Sequence, residues 1–326
     1  MPHNRGFAKS PTSKDGPVIP SGQDLPLGVY HGPGEVAQCA AFEERVGPLP
    51  WRLDFADEGR MFSAAQSAGP GPHLAGDPGA VDVYPIRTWK DCNRKLLLAM
   101  PMIPACPPGQ GSTGFAAVAA GAYDAAFTMQ AEALLANDFA VANTMVRLGW
   151  EFNGDWFPWA ANTMAAEFVA AFRRIVTVLR RTIPGLPTMW NPTRGDFGVG
   201  NLAQYWPGAE YVSCAALDVY DTEWRVGPIR EPQEFHHILT QRYGLAWLAD
   251  FAKLEGVEVG LGEWGLCPIG KAGVDTQRGA GDDPTFVLNM VKWIKDHATG
   301  PCIIWDDQGI FSSNGNSVEQ LRAAIS

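Results

Sequence analysis

Eight short apolar runs, separated by segments of helical spacing, constrain this chain more than any other feature. Leu25–His31, Pro48–Phe55, Arg94–Met102, the run from Met145 up to Glu151, Leu186–Pro192, Tyr211–Tyr220, Val257–Gly265 and Cys302–Trp305 are continuously apolar rather than alternating. That is the pattern of strands covered on both faces. The intervening spacing predicts helices over Glu35–Val46, Ala116–Asn137, Ala165–Thr182, Phe235–Leu254, Phe286–His297 and Val318–Ile325. In the third of these, Phe168, Phe172, Ile175, Val176 and Leu179 share one face before Pro184-Gly185 stops the run. Strands alternating with helices predict the α/β class and a single (β/α)8 barrel over residues 25–326. A doubly wound open sheet is the alternative, but no glycine-rich dinucleotide turn follows the first strand. Residues 1–24, rich in Pro, Gly, Ser and Lys, read as a disordered leader or linker, and the Gly/Pro-rich segment Ala64–Val83 as a loop over one face.

Composition narrows the function. A net charge of −10 with no long basic cluster argues against a nucleic-acid or anionic-membrane partner and favours a neutral or cationic substrate. There is no apolar run of membrane-spanning length and no signal-peptide pattern at the start. The six cysteines (39, 92, 106, 214, 267, 302) lack CxxC spacing and read as buried free thiols, with one disulfide left open. No HExxH occurs, and His236-His237 face different directions on a helix, so no metal or other cofactor is expected. Gly69–Gly76 lacks the Lys-Ser/Thr of a phosphate loop, and there is no Gly-x-Ser-x-Gly elbow.

Chemistry concentrates at the predicted strand ends. In a parallel barrel the C-terminal ends of the strands form the working face. Asp54, Glu151, Asn191, Asp218, Tyr220, Glu263, Trp305 and Asp306 are placed there by the predicted strands. Glu151 falls where an apolar run gives way to Asn153-Gly154-Asp155, among Trp150, Trp156 and Trp159. Indoles there supply both a sugar-stacking surface and an apolar wall that raises a carboxyl pKa. Glu263 sits within Gly-Leu-Gly-Glu-Trp-Gly, where flanking glycines let the backbone bend and uncover the side chain. The plainer readings are a solvated loop glutamate and a strand-end cap. Two such glutamates across a barrel mouth are what retaining glycoside hydrolysis requires, a protonated acid and an ionised nucleophile about 5 Å apart.

Arg147-x-x-x-Glu151-x-Asn153-Gly154-x-Trp156 resembles the strand-four signature of glycoside hydrolase family 26, retaining (β/α)8 glycosidases of clan A best known as endo-β-1,4-mannanases. Trp190-Asn-Pro192, Asp218-Val-Tyr220, Gly262-Glu-Trp264 and Trp305 follow in the family's order. The resemblance implies that Glu151 is the acid/base and Glu263 the nucleophile, with Tyr220 hydrogen-bonded to it. Trp156 and Trp305 would be sugar platforms. Independently of that resemblance, Trp150, Asn153, Asn191, Asp54, Asp218, Trp264 and Asp306 are expected as further substrate contacts. Trp150 stands where the family usually has histidine, and Asp306 where many mannanases have arginine. An indole offers one N–H and a broad apolar face, so hydroxyls near the cut cannot be read in the family's way. The expected activity is retaining endo-hydrolysis of a neutral polysaccharide, β-mannanase-like or directed at β-glucan, xylan or a bacterial cell-wall polymer. The alternative from another class is a catalytically silent carbohydrate-binding barrel. A glycan partner, no nucleic acid, no membrane insertion, a monomer, and a secreted or surface-associated setting complete the expectation.

Overall fold

The computed structural model describes residues 25–57, 61–62, 84–104, 111–222, 233–268 and 279–326. The expected leader over residues 1–24, the loop over Ala64–Val83 and Cys106 therefore lie outside the described residues. Eight strands close into a barrel in chain order: β1 (Leu27–Tyr30), β2 (Trp51–Phe55), β3 (Lys95–Met100), β4 (Thr144–Leu148), β5 (Thr188–Trp190), β6 (Cys214–Asp221), β7 (Glu258–Leu266) and β8 (Cys302–Trp305). Every neighbouring pair is parallel, and β1 pairs with β8 from Leu27 opposite Cys302 to Tyr30 opposite Trp305. The predicted barrel is the observed one. Closure leaves no unpaired edge, and both faces of the sheet are covered.

The helices form the outer layer. In chain order they are α1 (Val36–Val46), α2 (Tyr84–Trp89), α3 (Gly111–Ala119), α4 (Asp124–Ala136), α5 (Ala165–Thr182), α6 (Gln233–Thr240), α7 (Leu245–Glu255), α8 (Pro284–His297) and α9 (Gly315–Ile325). α5 buries the predicted face, from Phe168 to Leu179. α8 starts on Asp283, whose carboxylate accepts from the Thr285 and Phe286 N–H groups, with Pro284 at the first position. Two predicted helices are each divided. Residues 116–137 break between α3 and α4, where Gly121 takes φ +88. Residues 235–254 break between α6 and α7, where Tyr243 takes φ +58 and a Cβ on Gly244 would lie 2.4 Å from the Ile238 carbonyl. Apolar spacing runs through both breaks, so periodicity alone hides them.

One irregularity aims the site. Along β6 and β7 the register steps from Leu217 opposite Leu261 to Asp218 opposite Glu263, which makes Gly262 an extra residue on β7. Such a bulge bends a strand and redirects the side chain that follows. A Cβ on Gly262 would fall 1.7 Å from Asn191 Oδ1 and 2.7 Å from Arg147 Nε, so no larger residue fits. Cys39, Cys92, Cys214, Cys267 and Cys302 are free thiols, and no described helix is long and apolar enough to cross a membrane.

Candidate active site

At the end of β4 the chain leaves regular structure within three residues. Gly149 takes φ +51, where a Cβ would press to 2.4 Å from the Met102 sulfur, and Glu151 itself takes φ +52. A non-glycine residue in this left-handed region costs on the order of 1 kcal/mol and persists only when its surroundings hold it. Here the Glu151 N–H donates to the Asn191 carbonyl at 2.8 Å, and the Gly154 N–H donates to the Glu151 carbonyl at 2.9 Å. The glutamate is thereby turned into the barrel mouth.

Its carboxylate accepts from the Trp156 indole N–H at 2.8 Å. The Trp156 ring lies flat over Gly154, whose missing Cβ would fall 2.4 Å from the ring. Burial of the carboxyl raises the Glu151 pKa to about 7, and repulsion from Glu263 adds to this; bonds from Trp156 and Thr193 and the nearby Arg147 charge oppose it. An acid of this kind is protonated for a large fraction of the time near neutrality.

Glu263 follows the β7 bulge and is 6 % exposed. The Arg147 Nη1 donates to its Oε1 at 2.7 Å, and the Tyr220 hydroxyl donates to its Oε2. Burial beside Glu263 holds the Tyr220 phenol well above its usual range, so it stays a donor. Arg147 is fully buried and serves three elements at once. Its Nε donates to Asn191 Oδ1 at 2.6 Å on the β5 side, its Nη1 to Glu263 on β7, and its Nη2 to Asp218 on β6. Removing one partner from such a buried network leaves an uncompensated charge, a loss of about 3–5 kcal/mol.

Glu151 and Glu263 open on one cavity of about 700 Å³. Eight of its fifteen described lining residues are aromatic: Tyr30, Phe55, Trp150, Trp156, Phe157, Phe197, Tyr220 and Trp305. Tyr30 stacks on Trp305 at 4.5 Å, and Trp150 meets Phe55 and Phe157 edge-on at 5.0 and 5.2 Å. Such a cavity suits a flat or apolar face and exposes two carboxylates to it. Among the described residues, no cluster of His, Cys, Asp and Glu is arranged to hold a metal ion.

The structure brings Glu151, Glu263, Tyr220, Trp150, Trp156 and Trp305 together around this cavity. It does not bring the other six expected contacts there. Asp54 is fully buried and accepts from Gly34, Phe55 and the Trp89 indole, bracing the loops behind β1 and β2. Asn153 is exchanged with Thr193, accepting its N–H and donating to its carbonyl, both at 2.8 Å. Asn191 and Asp218 lie beneath the cavity as partners of Arg147. Trp264 is fully buried on the outer side of β7 against Phe286 and Phe311. Asp306 accepts from the Phe311 and Ser312 N–H groups and faces His31 Nδ1 at 3.3 Å. Sequence reasoning passed over Arg147 as a site residue although it stands in the quoted motif. It also passed over Tyr30 and Phe55, whose signal was an aromatic residue at the end of β1 and β2. Thr193 and Phe197 come from the loop after β5 and carry no comparable signal.

No protein-family model matches the chain, and no curated protein matches it. Solved structures do. A family 26 β-mannanase from Bacteroides ovatus superposes with a TM-score of 0.61 at 14% identity, over 93% of this chain and 86% of that one. A β-mannanase from a symbiotic protist of the termite Reticulitermes speratus, solved with a gluco-manno-oligosaccharide, gives 0.57 at 15% identity over 94% and 88%. A Cellulomonas fimi endo-β-1,4-mannanase double mutant gives 0.59 at 17% identity over 94% and 71%. At such identities the likeness speaks for the backbone, and the chain has the (β/α)8 fold found in glycoside hydrolase family 26.

Proposed function

We propose that this protein is a retaining glycoside hydrolase in which Glu263 attacks the anomeric carbon and Glu151 protonates the departing oxygen, then deprotonates the incoming water. The observation that carries the reading is the contrast between the two carboxylates of one aromatic cavity. Glu151 is raised to about 7, whereas Glu263 is held by the Arg147 guanidinium and the Tyr220 hydroxyl. One residue can therefore deliver a proton while the other offers a lone pair, the division of labour that double displacement needs. Trp156 and Trp305 supply ring faces to the same cavity. Because the structural neighbours are mannan-cleaving enzymes, a neutral β-linked polysaccharide is the substrate to try first.

Reducing-end release from a panel of mannans, glucans, xylans and bacterial wall polymers tests the activity. Proton NMR of the first-formed anomer tests retention. First formation of the inverted anomer would remove the double-displacement assignment, and no release from any polymer, with binding intact, would leave a carbohydrate-binding barrel.

A further inference from the structure

The loop that follows β5 reaches Glu151 from outside the barrel, and it is pinned along its length. Thr193 bridges to Asp218 of β6, and Asn153 clasps its backbone. The Arg194 guanidinium donates to the Tyr220 and Thr222 carbonyls, and the Gly195 N–H donates to the Tyr243 carbonyl at 3.2 Å. Farther out, Arg242, in the turn between α6 and α7, pairs with the Asp196 carboxylate and donates to the Gly200 carbonyl at 2.7 Å. Asp196 also accepts the Gly198 N–H at 2.9 Å. Phe197 stands between these anchors and, half-buried, turns onto the cavity that Glu151 and Trp156 line.

The ring that Phe197 meets there is the one that bonds Glu151. Phe197 stands edge-on to Trp156, with centroids 5.2 Å apart and planes at 82°, a favoured arrangement of two aromatic rings. Trp156 is exposed, and its N–H reaches Glu151 only while the indole keeps the rotamer that lays it over Gly154. From these contacts we infer that Phe197 is a positioning residue of the site, acting through Trp156 to keep the indole N–H on the Glu151 carboxylate. The inference deepens the glycosidase reading and rests on it for the role of Glu151 as the acid. Without the Phe197 ring the indole gains rotational freedom, its N–H spends less time on Glu151, and the ionised form loses part of its support. The other groups that face Glu151 are Glu263 on β7, Arg147 on β4, Asp218 and Tyr220 on β6, and Thr193. Of these only Thr193 shares the loop of Phe197, so a control must separate the route through Trp156 from one through Thr193.

The test uses the full chain with isotope-labelled tryptophan and follows by NMR the Trp156 indole N–H, identified by its loss in Trp156→Phe, from about pH 5 to about pH 9. Because this N–H bonds the Glu151 carboxylate, its resonance records the ionisation of Glu151 with no glycan present. Phe197→Ala should raise the midpoint by roughly 0.2 to 0.5 unit and speed hydrogen exchange of that N–H. Phe197→Leu is the second variant should Phe197→Ala fail to fold, and Phe197→Tyr, which keeps the ring, should hold the wild-type midpoint. In a Trp156→Phe background, adding Phe197→Ala should leave the basic limb of kcat/KM where it is. A midpoint unmoved by both Phe197→Ala and Phe197→Leu overturns the inference. So does Phe197→Tyr behaving as Phe197→Ala does, or a further shift of the limb when Trp156 is already gone, which would route the effect through Thr193. The two readings fail separately. A titration that moves with Phe197 in a chain that cuts no glycan sinks the hydrolase assignment and keeps this one. Cleavage of a glycan with an unmoved midpoint does the reverse.

Discussion

Trp156→Phe isolates one bond of the site, because it keeps a ring to stack on sugar and deletes only the N–H donated to Glu151. That bond is 2.8 Å long and ends on a carboxylate, the charge-assisted kind worth about 1.5–3 kcal/mol when shielded. Trp156 is 41 % exposed, so solvent competes for both partners and a value of about 1 kcal/mol is the reasonable expectation. The donor favours the charged form of Glu151, and its loss must therefore move the pKa upward from about 7. At 1.36 kcal/mol per unit, the expected movement is roughly 0.5 to 1 unit. The assay is the pH dependence of kcat/KM on an oligosaccharide with an unactivated leaving group, whose basic limb reports deprotonation of the acid. The limb should shift to higher pH, with turnover extended on the alkaline side. A basic limb that stays in place, or one that moves to lower pH, would show that Glu151 is not the acid or that Trp156 does not tune it.

The two glutamates should separate kinetically. Glu263→Ala should abolish turnover on every substrate, whereas Glu151→Ala should retain the first step on aryl glycosides with good leaving groups and recover with azide; equal, unrescued loss contradicts the roles. Gly262→Ala should force Asn191 and Arg147 apart, destabilise by about 1–3 kcal/mol and depress turnover, which thermal melting and kinetics can read against a control at exposed Gly315. Asp221 offers a pH test away from the chemistry. Burial, with Glu234 beside it, raises its pKa to about 9. The folded state thus keeps a proton that the unfolded chain releases near 4, so stability falls as pH climbs between those values, by up to about 1.4 kcal/mol per unit. Asp221→Asn removes that slope. Its melting temperature relative to wild type should rise from pH 5 to pH 9, and a constant difference would mean that Asp221 is ionised in the fold.

The barrel was legible because a parallel sheet covered on both faces writes each strand as a largely apolar run, and β1 to β8 match the predicted runs, with β4, β6 and β7 each reaching one residue beyond. Glu151 and Glu263 were legible for a different reason, since each interrupts such a run within a few residues of glycine. What stayed hidden was which way a strand-end residue points. Asp54, Asn191 and Asp218 occupy the expected ends, yet satisfying Trp89 and Arg147 in the interior takes their polar atoms. Nothing in a linear pattern reports that demand, because Arg147 lies far from all three in sequence. The register shift at Gly262 was hinted at by its neighbouring glycines, but its direction depends on packing against β5 and β6. Trp264 shows the same limit, for one residue past Glu263 the side chain belongs to the outer layer.

Under the proposed double displacement, the repulsion between Glu263 and Glu151 is a property of the resting site only. In double displacement the first chemical step turns the Glu263 carboxylate into an ester, and its charge disappears. The contribution that Glu263 makes to raising Glu151 vanishes with it, while Trp156, Thr193 and Arg147 continue to favour the ionised form. Glu151 therefore becomes a stronger acid just after it has given its proton away and no longer needs to hold one. It waits for water as a carboxylate, and when the ester is hydrolysed the returning charge on Glu263 lifts its proton affinity again. A site working in the proposed way times its own proton cycle through the charge of its nucleophile.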